Sequence, residues 1–192
     1  MLAVTAGADA IGLNLVAGSR RSVDLALARR IADHVRGQVE LIGVVADLPV
    51  DEAERLREGL ELDALQLHGH ESPAELEALL PDAYKAVRIG NAFDLERALR
   101  FGGERLLVDA KVEGELGGTG VRADPALCRD LAARRRVILA GGLTPDNVAG
   151  AIRDVRPWGV DVASGVEESE NPRRKDPAAL RAFVARARGA GG

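Results

Sequence analysis

The stretch Val137–Glu167, VILAGGLTPDNVAGAIRDVRPWGVDVASGVE, decides the fold. It reads as strand, glycine turn, helix, strand and small-residue turn. Val137–Ala140 is a short apolar run that Gly141 and Gly142 break. Thr144 is placed to cap the next helix, with Pro145 at its first position, where a missing N–H costs nothing. Val148, Ala151, Ile152 and Val155 then recur on one helical face. Gly159–Val162 is the next strand, and Ala163-Ser164-Gly165 ends it. Two parallel strands joined by a helix thus each finish in a turn of small residues. Such turns aim bare backbone N–H groups at a common point, which suits an anion and above all a phosphate. In an eight-stranded β/α barrel, phosphate sites commonly form from the loops after strands seven and eight. This pair lies near the C-terminal end of the chain.

Outward from there, strand and helix alternate along the whole sequence. Strands are expected at Ile11–Val16, Leu41–Val45, Ala64–Leu67, Tyr84–Val87, Leu106–Asp109, Val137–Ala140 and Gly159–Val162. Helices are expected at Val23–Val35, Asp51–Leu60, after the capping box Ser72-Pro73-Ala74-Glu75, at Phe93–Leu99, Pro125–Ala133 and Pro177–Arg188. Met1–Ala6 reads as the end of a helix that Gly7 closes. The alternation, at a repeat of roughly 25 residues, predicts βα units and a parallel sheet. The fold class is α/β: a (β/α)8 TIM barrel, with the first strand and most of the first helix missing from this chain. No linker or low-complexity tract divides it, so one domain over residues 1–192 is expected.

Composition narrows the function classes. The net charge is -4, and no dense Lys/Arg stripe accompanies aromatic residues, which argues against a nucleic-acid partner. The single cysteine, Cys128, excludes an intramolecular disulfide framework and fits a reducing, cytoplasmic setting. There is no signal peptide and no long apolar span, so no membrane association is expected.

The candidate chemical residues follow strands. Asp109 ends LLVDAK and enters a glycine-rich loop, where a functional carboxylate outweighs a helix cap or loop ion pair. Gly117-Gly118-Thr119-Gly120 in that loop reads as a lid or a second anion contact. Asp161, within VDVAS, is either a buried carboxylate bonded to backbone amides or a buried aspartate holding a substrate hydroxyl. His68, in LQLHGHE, is a candidate substrate contact or a satisfied polar residue at a strand end. His70 and Glu71 stand near it, but no other His or Cys has metal-ligand spacing, so no metal is assigned. Of Arg20 and Arg21, one guanidinium could clamp a carboxylate through paired hydrogen bonds; a solvated loop pair is the alternative. Cys128 shares a helical stripe with Leu127, Leu131 and Ala132 and reads as core. His34 reads as a surface residue near a helix C-terminus.

In order, GADAIGLNL, GSRRSV, LQLHGHE, LLVDAKVEGELGGTG, LAGGLTPDNV, RPWGVDVASGVE and RKD resemble the phosphoribosylanthranilate isomerases of tryptophan biosynthesis. The resemblance covers nearly the whole chain and rests on the ordered set, particularly GGLTPDNV followed by VDVASGVE. It implies a β/α barrel, with no cofactor or metal, that acts on a phosphorylated small molecule as a monomer or homodimer. The reaction it implies is an Amadori rearrangement of N-(5-phosphoribosyl)anthranilate. By motif, Asp109 would be the general acid and Arg21 the grip on the anthranilate carboxylate. Gly141, Gly142, Ser164 and Gly165 would form the phosphate loops, with Asp161 on the sugar and His68 among the substrate contacts. The family's general base is a cysteine on the first strand, in a Lys-x-Cys-Gly type motif. That strand is expected ahead of Met1, and Cys128 lies on the wrong element to replace it. The alternative reading is a phosphate-ligand-binding paralogue that lacks the base.

Overall fold

The computed structural model describes residues 1–109 and 124–191. The strands are β1 Ala10–Asn14, β2 Glu40–Val45, β3 Ala64–Leu67, β4 Ala83–Val87, β5 Arg105–Asp109, β6 Arg136–Ala140 and β7 Gly159–Val160, with β8 Glu167–Glu168 and β9 Asn171–Lys175 forming a separate hairpin. The helices are α1 Leu2–Ala6, α2 Leu25–Val35, α3 Val50–Leu60, α4 Pro73–Leu79, α5 Ala92–Ala98, α6 Pro125–Arg134, α7 Val148–Val155 and α8 Pro177–Ala190. The first seven strands follow one another in the sheet in chain order. The pairs β1–β2, β2–β3, β3–β4, β5–β6 and β6–β7 are parallel. This is the α/β alternation that the sequence predicts.

Two compact units divide the chain. One holds Met1–Lys85 and Phe101–Gly103, the other Ala86–Arg100 and Glu104–Gly192. In the first unit, strands β2 and β3 are mostly aliphatic, with the buried Gln66 of β3 a polar exception. Leu41, Val45, Leu65 and Leu67 are all under 3% exposed. Near-continuous apolar strands are what a parallel sheet covered on both faces requires. Each such side chain contributes roughly 1.5–3 kcal/mol of burial. In the second unit Leu106, Leu107, Val108, Val137 and Leu139 do the same, against Leu131, Val148 and Val155 of the helices.

Several boundaries differ from the sequence expectation, each for a local reason. Strand β1 stops at Asn14, short of Val16, because the Asn14 side chain accepts from the Val16 N–H at 3.1 Å and turns the chain. Helix α2 begins at Leu25, short of Val23, because Asp24 caps it through the Leu27 N–H. Its fully buried face is Ala28, Ala32 and Val35; Leu27 and Ile31 are half-buried. Helix α7 begins at Val148, so Thr144 and Pro145 do not open it. Strand β7 ends at Val160 and the chain then enters a 3₁₀ turn, Ser164–Val166. The β8–β9 hairpin was not legible: its residues are charged and carry no alternation. The capping box at Ser72 and the left-handed Gly7 form as expected.

Candidate functional site

In the second unit, parallel register brings the candidates to one end of the sheet. Asp109, the last residue of β5, stands level with Ala140, the last residue of β6. Gly141 and Gly142 follow directly, at φ 90° and 67°. These left-handed conformations are open to glycine at little cost. The Asp161 N–H donates to Leu139 O at 2.8 Å, so Asp161 lies beside the same strand end. Gly165 closes the group: a Cβ built on it would overlap the Leu143 carbonyl oxygen and lie 3.0 Å from the Thr144 Cα. The turn after β7 is therefore packed, backbone against backbone, on the turn after β6. Asp109, Gly141, Gly142, Asp161, Ser164 and Gly165 thus assemble in one place. Asp161 is exposed, which corrects both expectations of a buried carboxylate; it stands after the short β7, where the apolar strand has already ended.

Two residues that the sequence reading did not single out shape these turns. Asn147 Oδ1 accepts from the Thr144 N–H at 2.8 Å, and its Nδ2 donates to Gly142 O at 3.0 Å. The asparagine thus ties the glycine turn to the start of α7. A Pro-Asp-Asn run ahead of a helical pattern is the signal that could have found it. Lys175 Nζ donates to Ala163 O at 2.7 Å and reaches Glu167 at 3.3 Å, which secures the far side of the Ser164 turn.

The first unit holds Arg21 and His68. The loop after β1 is shaped by Asn14, whose carbonyl accepts from Val23 N–H at 2.9 Å. Arg21 N–H donates to Ser19 Oγ at 3.3 Å, and its residue is half-buried while Arg20 is exposed. His68 follows β3; its N–H donates to Val45 O, and its Nδ1 lies 3.1 Å from Gln66 Oε1. Behind it is a buried ion pair that the sequence reading missed, Lys85 with Glu71 at 3.3 Å, their side chains 5% and 4% exposed. Lys85 Nζ donates to Leu67 O at 3.0 Å and Gly69 O at 2.9 Å. Glu71 accepts from the N–H groups of Asp47 and Gly69. Asp47, at φ 54°, in turn accepts from the His70 N–H at 2.6 Å. That bond, with His70 beside it, lowers the Asp47 carboxyl below its ordinary value. A lysine in an otherwise apolar strand was the available signal.

Cys128 is 1% exposed, and burial raises its thiol to about 11, with Asp124 adding to the shift. It is a core residue and not a source of thiolate at neutral pH. Gly117, Gly118, Thr119 and Gly120 lie outside the described residues. Among the described residues no cluster of three or more His, Cys, Asp or Glu could hold a metal ion, and no helix is long and apolar enough to cross a membrane.

Parallel βα units, with a carboxylate and glycine turns at the strand ends, define an enzyme of the β/α-barrel class. The model of the N-(5'-phosphoribosyl)anthranilate (PRA) isomerase family matches residues 1–186, and the chain belongs to that family. A curated N-(5'-phosphoribosyl)anthranilate isomerase from Roseiflexus sp. (strain RS-1) is 46% identical over 199 residues, covering 99% of this chain and 92% of the relative. The crystal structure of the phosphoribosyl anthranilate isomerase from Thermotoga maritima superimposes with a TM-score of 0.85 at 34% identity, covering 98% of this chain and 92% of that one. The crystal structure of a phosphoribosyl anthranilate isomerase in complex with reduced 1-(o-carboxyphenylamino)-1-deoxyribulose 5-phosphate gives a TM-score of 0.84 at 32% identity, over 98% of this chain and 91% of that one.

Proposed function

We propose that this protein is the isomerase of tryptophan biosynthesis that converts N-(5'-phosphoribosyl)anthranilate to 1-(2-carboxyphenylamino)-1-deoxyribulose 5-phosphate. The observation that carries this reading is the family match over residues 1–186. The assembly of Asp109 with the Gly141 and Gly165 turns supports it. No observation favours the reading as a non-catalytic phosphate binder. The chain acts as one barrel domain, in the cytoplasm, as a monomer or homodimer, on a phosphorylated small molecule and without a cofactor.

The backbone N–H groups of Gly141, Gly142, Ser164 and Gly165 receive the phosphate. Asp161 contacts the sugar, Arg21 grips the anthranilate carboxylate by paired hydrogen bonds and His68 contacts the substrate. Asp109 protonates the ribose ring oxygen as the ring C–O bond breaks, leaving a Schiff base. A general base then takes the C2 proton, and the enolamine relaxes to the ketone. In the family this base is the cysteine of the Lys-x-Cys-Gly type motif; buried, protonated Cys128 does not serve as one.

An isomerase assay on three chains tests the reading. They are the 192-residue chain, the same chain preceded by a strand bearing that cysteine, and the extended chain with Asp109→Asn. Loss of the base lowers the rate about 10²–10⁴-fold, so the extended chain is expected to be the faster by that factor. Asp109→Asn is expected to remove most of its activity, since an amide donates no acidic proton. Equal rates from the first two chains would place the base within residues 1–192. An inactive extended chain that still binds the reduced product would favour the non-catalytic binder.

A further inference from the structure

None of the steps above uses the buried polar pair behind His68. Gln66 of β3 and Tyr84 of β4 face one another in the parallel register and are 7% and 2% exposed. Gln66 Nε2 donates to the Tyr84 hydroxyl oxygen at 3.0 Å. Its carbonyl oxygen faces Nδ1 of His68, at 3.1 Å. Residues 66 and 68 alternate along the extended chain, so both side chains lie on the same face. A carboxamide oxygen only accepts, so Nδ1 carries the hydrogen. In the neutral ring, Nε2 is then the acceptor.

The main chain around that ring is held as well. His68 N–H donates to Val45 O at 2.8 Å, and Lys85 binds the carbonyls of Leu67 and Gly69 on either side of it. With the backbone pinned on both flanks, the ring's rotation and tautomer remain to be set, and Gln66 meets both. The imidazole is exposed, so Nε2 is within reach of a ligand.

We propose that Gln66, braced by Tyr84, is a positioning residue that locks His68 as the Nδ1–H tautomer and offers Nε2 as an acceptor to an N–H or O–H donor of the bound sugar phosphate. The inference rests on the reading of His68 as a substrate contact and goes beyond it by naming the chemistry of that contact. Free histidine favours the Nε2–H form, so the lock acts against the ring's own preference.

The test combines nitrogen NMR of ¹⁵N-histidine-labelled protein, above the pH at which the ring protonates, with titration by reduced 1-(o-carboxyphenylamino)-1-deoxyribulose 5-phosphate. His68→Ala assigns the His68 signals. The expected wild-type pattern is the Nδ1–H pair of shifts. Gln66→Leu should move it to Nε2–H and weaken the analogue about tenfold, the worth of one hydrogen bond. Gln66→Glu keeps an acceptor and should restore the Nδ1–H pattern; Tyr84→Phe, which leaves the strand packing in place, should give a mixture of both. In the His68→Ala background, Gln66→Leu should cost no further affinity. An Nε2–H pattern in the wild type, or additive losses in the double variant, would overturn the proposal. Unchanged affinity in His68→Ala would instead overturn the substrate-contact reading, and the tautomer measurement would still report on Gln66 by itself.

Discussion

The turn after β6 and the turn after β3 are held in opposite ways. In the second unit, Gly141, Gly142 and Gly165 are shaped by left-handed backbone and by main chain pressed on main chain, with Asn147 as a side-chain tie across the glycine turn. In the first unit, residues 67–71 are held by side chains: Lys85, Glu71, Asp47 and Gln66. A turn made of bare N–H groups keeps its donors for a ligand. A turn made by a buried ion pair uses main-chain groups to satisfy the pair, and what it presents outward is a side chain, His68.

The contrast can be broken at its strongest point first. Gly165→Val forces a Cβ into the Leu143 carbonyl, and neither backbone can yield alone. A loss above about 4 kcal/mol is expected, the range that marks backbone strain or a broken core, together with loss of inorganic phosphate binding. Urea unfolding and phosphate titration measure both; wild-type affinity in this variant would remove Gly165 from the phosphate turn. Next comes Lys85→Met, which strands the Glu71 carboxylate in the interior. It should cost about 3–5 kcal/mol, and adding Glu71→Gln should recover part of it, because removing one partner is worse than removing both charges. Equal midpoints for the single and double variants would mean that the pair is not buried as a pair.

Asn147→Ala is the milder break in the glycine turn. It removes bonds to Thr144 N–H and Gly142 O, for about 1–2 kcal/mol. Phosphate affinity should fall with it while the affinity for anthranilate alone stays unchanged; parallel losses would point to general destabilisation. A control lies on α6, away from either turn. The Cys128 thiol is raised from 9.0 to about 11, so the folded state keeps its proton where the unfolded chain has released it. Stability should therefore decline as pH rises from about 9 to about 11, and less so in Cys128→Ala. Rapid thiol alkylation of the native protein at pH 8 would contradict the burial.

The same contrast decides what was legible. The Gly141–Gly142 pair and the capping box are local signals, so the turn after β6 and the start of α4 could be read directly. So could the strands, from their aliphatic runs. The Lys85–Glu71 pair joins residues fourteen apart on different elements, and nothing in either neighbourhood marks the other. Asp161 was misjudged because VDVAS looks like continuing strand, whereas β7 stops at Val160. Thr144 before Pro145 suggests a helix start there, but α7 begins at Val148, after the segment in which Asn147 Oδ1 accepts from the Thr144 N–H.

The contact between Gly165 and the Leu143 carbonyl also constrains how this sequence can drift. When a side chain overfills a core, a neighbour can shrink, and a second substitution rescues the first. Here the neighbour is an amide plane, identical whatever residue stands at position 143. No replacement there makes room, so a substitution at position 165 has no suppressor next to it. A selection for revertants should return glycine at 165, or insertions and deletions that re-route one of the two turns, far more often than compensating point changes at their contact.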